Sequence, residues 1–183
     1  MKTMKQIITI IVLSALAFSA HAGVFDGTTI TYQYYYPSTS SPYLNPSTLS
    51  VGTGGAYIAD IVNGVGSMNV SGNDLTLNFI SNGAFSSASH AFNGFEITDN
   101  QANFSTFSTI HNTALSASPA LSFDTHHLWV NFANLTFNPG TVQLSVATIP
   151  EPSYFAMLLA GLGLIGVISY RHKDKLSDMP KAV

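Results

Sequence analysis

The 183-residue sequence has no cysteine, and none of its six Lys and Arg residues falls between positions 23 and 170. Without cysteine there are no disulfides, no thiolate zinc ligands and no thiol nucleophile. Without cations across that stretch nothing neutralises a phosphate backbone, so nucleic acid is excluded as a partner. From residue 23 to residue 148 the charge is purely acidic, carried by Asp26, Asp60, Asp74, Glu96, Asp99 and Asp124. Solubility therefore rests on the hydroxyls and amides of Ser, Thr, Asn and Gln with a modest negative charge. Also missing are the G-x-S-x-G elbow, the P-loop and HExxH, and with them the usual geometry for acyl transfer, phosphoryl transfer and zinc proteolysis. These absences predict a protein that is not an enzyme and holds neither metal nor cofactor.

What is present begins with a processing signal. Lys2 and Lys5 precede the apolar run Ile7 to Phe18, and Ser19-Ala20-His21-Ala22 supplies an A-x-A site. The apolar run is about 12 residues, short of a spanning helix, so residues 1–22 read as a signal peptide cleaved after Ala22, with Ala20 and Ala22 as the small residues of the site. The exported body, residues 23–148, is long enough to bury a core without disulfides.

Within the body the apolar residues fall at every second position. Leu75, Leu77 and Phe79 share one face of a strand, as do Val142, Leu144 and Val146, and Leu128, Val130 and Phe132. After Phe132 the alternation shifts to Leu135 and Phe137, which predicts a bulge near Ala133-Asn134, and Asn138-Pro139-Gly140 predicts a hairpin turn into the next strand. Further strands are expected over Thr28–Tyr36, Ala56–Val62, Gly66–Val70, Phe92–Thr98 and Phe104–Ile110, where β-branched and aromatic residues crowd. Pro37 to Pro46 and Gly52 to Gly55 read as loops. The expectation is an all-β ectodomain, an antiparallel β-sandwich or jelly roll, with a barrel as the alternative.

The C-terminal segment is different chemistry. Ser153 to Tyr170 is an uncharged run rich in Leu, Ile, Ala and Gly, about 27 Å long as a helix and close to a bilayer core. Arg171, Lys173 and Lys175 follow. This predicts a single transmembrane helix whose basic stop-transfer cluster stays in the cytoplasm, with residues 176–183 as a cytoplasmic tail and the body outside. Pro150 and Pro152 hold the triplet Pro150-Glu151-Pro152 extended just before the helix.

Together, Ile149-Pro150-Glu151-Pro152-Ser153, the Leu/Gly-rich helix and the basic end resemble the PEP-CTERM sorting signal of Gram-negative bacteria, over residues 149–175. The resemblance implies recognition at Pro150, Glu151 and Pro152 by an exosortase, an integral membrane processing enzyme. It implies a precursor anchored in the inner membrane and a mature protein at the cell surface or in the extracellular matrix, associated with exopolysaccharide or biofilm. The basic end departs from the family's Arg-dominated run, reading Arg171-His172-Lys173-Asp174-Lys175.

Candidate ligand chemistry in the body is sparse. His126 and His127 point to opposite faces of a strand and do not share an ion. Asp124 with Asp99 or Asp26 would be the calcium alternative, without the D-x-D-x-D-G spacing. A pair of the six acids across a cleft would be the glycosidase alternative. The cluster Tyr32, Tyr34, Tyr35 and Tyr36, with Tyr43, Tyr57 and Trp129, offers rings for glycan contact in a lectin-like module, Tyr32, Tyr34 and Tyr36 sharing one strand face; the ordinary alternative is packing with hydroxyls reaching the surface.

Overall fold

The computed structural model describes residues 23–86, 91–149, 161–163 and 165–166. The chain divides into two units, Met1–Thr148 and Ile149–Val183. Among the described residues of the first unit twelve strands follow one another: β1 (Thr29–Tyr35), β2 (Ser47–Ser50), β3 (Ala56–Ile58), β4 (Gly66–Ser71), β5 (Asp74–Phe79), β6 (Gly83–Ala84), β7 (Gly94–Thr98), β8 (Phe104–Asn112), β9 (Ala120–Phe123), β10 (His127–Asn131), β11 (Thr136–Phe137) and β12 (Gly140–Thr148). They form one five-stranded sheet in the order β2-β1-β7-β10-β9, a second in the order β3-β4-β5-β12-β8, and the two-stranded pair β11-β6. Every strand pairing is antiparallel. The fold is all-β, as the alternating sequence predicts.

Period-two alternation sets which face is buried, because successive side chains of a strand point to opposite sides. In the second sheet the register aligns Val70, Leu75 and Leu144 in one row and Met68, Leu77 and Val142 in the next, all fully buried. In the first sheet the rows are Tyr34, Phe95 and Val130, then Tyr32, Ile97 and Leu128, again buried. One hydrophobic cluster takes residues from both sheets. Phe132 shows how: its ring lies 5.8 Å from Phe95 of the first sheet, 6.1 Å from Phe79 of the second and 4.7 Å, stacked, from Phe85. Each such side chain contributes roughly 1.5–3 kcal/mol by leaving water, and the tilted and edge contacts add the smaller aromatic term.

The β4–β5 hairpin has the two-residue loop Gly72-Asn73, since Ser71 pairs with Asp74. Gly72 takes a positive φ of 57°, which a side chain adopts only under strain. Asp26 holds the start of the body against this loop. Its carboxylate accepts from Gly23 N at 2.7 Å and Gly72 N at 3.2 Å, and Phe25 N donates to Gly72 O at 3.0 Å.

Two expectations are corrected. The parity shift after Phe132 is not a bulge within one strand: β10 ends at Asn131, Asn134 takes a positive φ of 70°, and the chain leaves the first sheet to pair as β11 with β6. Nor does Asn138-Pro139-Gly140 make a hairpin, because β12 pairs with β5 and β8 instead of β11. The strands β2, β6 and β9 were not expected from the sequence.

In the second unit residues 161–163 and 165–166 are α-helical. Among the described residues no helix is long and apolar enough to cross a membrane; most of the run Ser153–Tyr170 lies outside them, as do residues 1–22, where a signal peptide is expected.

Candidate functional site

The predicted tyrosine face is split from Trp129 by strand parity. Tyr32 and Tyr34 point inward from β1 and are buried at 3% and 1% exposure, while Trp129, paired with Glu96, lies on the opposite face of the same sheet. Tyr32 O–H donates to Ile61 O at 2.5 Å. Tyr34 O–H donates to the side-chain oxygen of Asn93 at 2.7 Å. Burial pushes both phenols well above the ordinary tyrosine value, and the neighbouring Tyr34 and Asp60 add to the effect on Tyr32, as Tyr43 does on Tyr34.

Tyr34 nonetheless reaches a cleft. An open hollow of about 310 Å³ is lined by Tyr34, Tyr36 and Tyr43, by the polar groups of Asn63, Asn93 and Ser86, and by Val62, Val65, Phe85 and Phe137 among the apolar residues. The ring of Tyr43 stands edge-on to Tyr34 at 6.3 Å and to Tyr36 at 6.2 Å. Asn63 donates its amide to Tyr43 Oη at 3.1 Å, Asn93 donates to Ser86 O at 3.2 Å, and Tyr36 O–H donates to Ser86 Oγ at 3.4 Å. Asn63 takes a positive φ of 49°, a conformation Asn tolerates better than other side chains. Of this lining Tyr34, Tyr36 and Tyr43 are expected from the sequence. The dipeptide Asn63-Gly64 carried a turn signal, but Asn93 reaches the cleft only because β7 pairs with β1, which no local pattern reveals.

On the outer face of the first sheet a second cluster forms along the row Gln33, Glu96 and Trp129. Trp129 Nε1–H donates to Glu96 at 3.0 Å and Thr98 O–H donates at 2.8 Å. Tyr35 also donates to Glu96; partial burial first, then the carboxylate's charge and this hydrogen bond, raise its phenol above the ordinary value. His127 stacks on Trp129 at 5.3 Å, and its Nδ1 is 2.8 Å from Asp124. Desolvation raises the Asp124 carboxyl, yet the backbone N–H of His126 with the ring and backbone N–H of His127 together carry it below the usual carboxylate range.

The remaining acids serve the backbone or neighbouring amides. Asp60 accepts from Gly64 N at 2.9 Å and Asp74 from Gln143 Nε2 at 3.1 Å. Asp99 is fully buried, accepts from Gln101 N at 2.9 Å through Oδ1, and leaves Oδ2 without a hydrogen-bond partner among the described residues. Among the described residues no three His, Asp or Glu side chains converge to hold a metal ion. His126, in the bend before β10, and His127, the first residue of β10, use their rings on different partners: His126 Nδ1 lies 2.7 Å from Ala102 O and His127 Nδ1 2.8 Å from Asp124.

Pro150, Glu151 and Pro152, expected to be the recognition residues, the basic Arg171, Lys173 and Lys175, and Ala20 and Ala22 of the expected cleavage site lie outside the described residues. Their sequence is decisive for the tail all the same, because residues 148–173 match the family model of the PEP-CTERM protein-sorting motif. The chain carries a PEP-CTERM sorting motif. The matched span takes in the Pro-Glu-Pro triplet, the apolar run, Arg171 and Lys173, and stops before Lys175. A PEP-CTERM motif implies export, a membrane-anchored precursor and processing by an exosortase. No curated protein and no solved structure matches the chain.

Proposed function

We propose that this is an exported, non-enzymatic β-sandwich protein, delivered as a membrane-tethered precursor, cut at Pro150-Glu151-Pro152 by an exosortase, and serving at the cell surface or in the extracellular matrix beside exopolysaccharide. The observation that carries the reading is the PEP-CTERM match at residues 148–173, joined to a body that has no cation from residue 23 to residue 148. The hydrophobic cluster shared by both five-stranded sheets supports the sandwich. In the precursor the apolar run would span the inner membrane, with the basic cluster on the cytoplasmic side. That arrangement would present the stiff triplet to a membrane enzyme at the outer surface.

The non-enzymatic part of the reading is supported by how the acids are used. A glycosidase needs one carboxyl free to hold a proton and a second placed across the scissile bond. Glu96 accepts from Trp129, Thr98 and Tyr35, and none of the six acids lines the cleft. For the calcium alternative, the described residues offer no cluster of three acidic or His ligands.

Intact mass of the protein purified from its native host tests the delivery. The expected mass starts at Gly23 and lacks the helix and basic end. A Glu151→Ala chain is expected to accumulate as the longer precursor. A wild-type mass that retains residues 153–183 overturns cleavage and leaves a permanent anchor.

A further inference from the structure

The cleft beside Tyr43 has a composition that selects among ligand classes. Among the described residues no charged side chain lines it, and the body has no Lys or Arg from residue 23 to residue 148. An anionic ligand would find no counter-charge there, and a cationic one no carboxylate. A purely apolar ligand would strip water from the amides of Asn63 and Asn93 and the hydroxyls of Tyr34, Tyr36 and Ser86 without replacing its hydrogen bonds. What remains is a neutral ligand that both donates and accepts hydrogen bonds and has apolar faces of its own.

The geometry points to a binding site for a neutral saccharide in this cleft. Sugar hydroxyls donate and accept at once, matching the mixed set of Asn amides and Tyr and Ser hydroxyls. Their C–H faces suit the ring of Tyr43, which is 48% exposed while edge contacts with Tyr34 and Tyr36 hold it upright. Asn63 fixes the phenolic end of that ring at 3.1 Å from a left-handed backbone position, φ 49°. The strained residue is thus one of the groups that shape the cleft, which is where such strain tends to be retained. Asn93 is 7% exposed and already engaged by Tyr34 and Ser86, so the polar wall is held in place before a ligand arrives. The volume of about 310 Å³ lies at the small end of ligand sites, suiting one or two sugar units of a longer chain that leaves through the open side. The inference goes beyond the sorting reading and does not depend on it, since an uncleaved chain carries the same cleft.

Calorimetric titration of the full chain in a non-glycosidic detergent tests it, with cellohexaose, maltohexaose and mannohexaose as neutral probes and oligoguluronate as the anionic one. At least one neutral probe is expected to bind in the millimolar range or better and oligoguluronate not to bind. Tyr43→Ala and Asn63→Gly are each expected to weaken binding about tenfold or more. Tyr57→Ala, at an exposed ring on β3, is expected to change nothing. Glycine accepts the backbone of residue 63 without strain, so Asn63→Gly keeps the fold if Tyr43→Ala does not. The proposal is overturned if no neutral probe binds at about 10 mM, if oligoguluronate binds as well as the best of them, or if binding survives both cleft variants. Binding lost only on Trp129→Ala also overturns it and moves the site to the outer face of the first sheet.

Discussion

Tyr34 and Tyr35 are chain neighbours in one strand, yet their hydroxyls belong to two different environments. Tyr34 points inward, donates to buried Asn93 and ends at an uncharged cleft. Tyr35 points outward, donates to Glu96 and joins a network of Trp129, His127 and Asp124. The strands and register are the same on both faces; only the parity of the residue differs. On the inner face polar groups are few, and both phenols have a fixed neutral partner, Ile61 O for Tyr32 and Asn93 for Tyr34, since an unpaired one there costs about 1–3 kcal/mol. On the outer face charge is concentrated around one tryptophan in a body otherwise poor in it, and water shares the cost. The comparison predicts severe consequences for inner substitutions, mild ones for outer substitutions, and one instructive exception.

Gly94 is the exception. It sits in the outer row with Tyr35 and Asn131, where a small substitution ought to be harmless. A Cβ added there would lie 1.8 Å from Val130 O and 2.9 Å from Val130 C, so the obstruction is backbone and no side chain can rotate away from it. Gly94→Ala is expected to destabilise by about 3 kcal/mol, lowering the thermal midpoint by roughly 10 °C. Circular dichroism melts of the full chain measure this. A shift within about 1 °C would mean that β7 and β10 do not approach as described.

The next effect separates the faces by pH. The phenols of Tyr32 and Tyr34 have folded values raised above the unfolded value of about 10. Their contribution to stability is complete below pH 10 and is lost as pH rises toward the folded values, because the unfolded chain ionises first. Each phenol should cost about 1.4 kcal/mol at pH 11 relative to neutral pH. No Lys or Arg titrates between residues 23 and 170 to obscure this. Tyr32→Phe should lose about 1–2 kcal/mol at pH 8, because Ile61 O loses its donor, and should then fall less steeply than wild type between pH 9 and 11. Urea midpoints across that range give the slopes. Equal slopes would place Tyr32 in water.

How much of this was legible in the sequence follows from how local each signal is. Leu75, Leu77 and Phe79 announce β5 because one face meets the core and the other meets solvent, so burial copies directly into alternation. β2 and β9 stay almost wholly exposed along Ser47–Ser50 and Ala120–Phe123, and strands with no buried face leave no period to read. The shift after Phe132 was visible, but a bulge and a change of sheet produce the same break in parity, and only the pairing of β11 with β6 decides between them. The tail is the opposite case. An extended triplet, an apolar run and a basic end are recognised through their order along the chain, and the family match falls on that order. The cleft was half legible: its tyrosines lie close together in sequence, whereas Asn93 arrives from 59 residues away.

The smallest expected effect lies on the outer face. Asp124 is exposed, and its carboxylate gathers the N–H groups of His126 and His127 at 2.8 Å together with the His127 ring. Its folded value is lowered, so its contribution is present above the unfolded value of about 3.9 and lost as pH falls through the folded one. Exposure keeps that contribution well under about 1 kcal/mol. Asp124→Asn should therefore leave the melting temperature nearly unchanged at pH 7. What should move is the His127 ring: without the carboxylate charge its Nδ1 loses a charge-assisted hydrogen bond of 2.8 Å, so the NMR chemical shifts of its ring protons, which lie against Trp129, should change. The ring should also hold its place on Trp129 less firmly. His127 ring-proton shifts unchanged by Asp124→Asn would mean that the cluster is a set of independent surface side chains, and the charged face would then differ from the cleft in composition alone, without being comparably ordered.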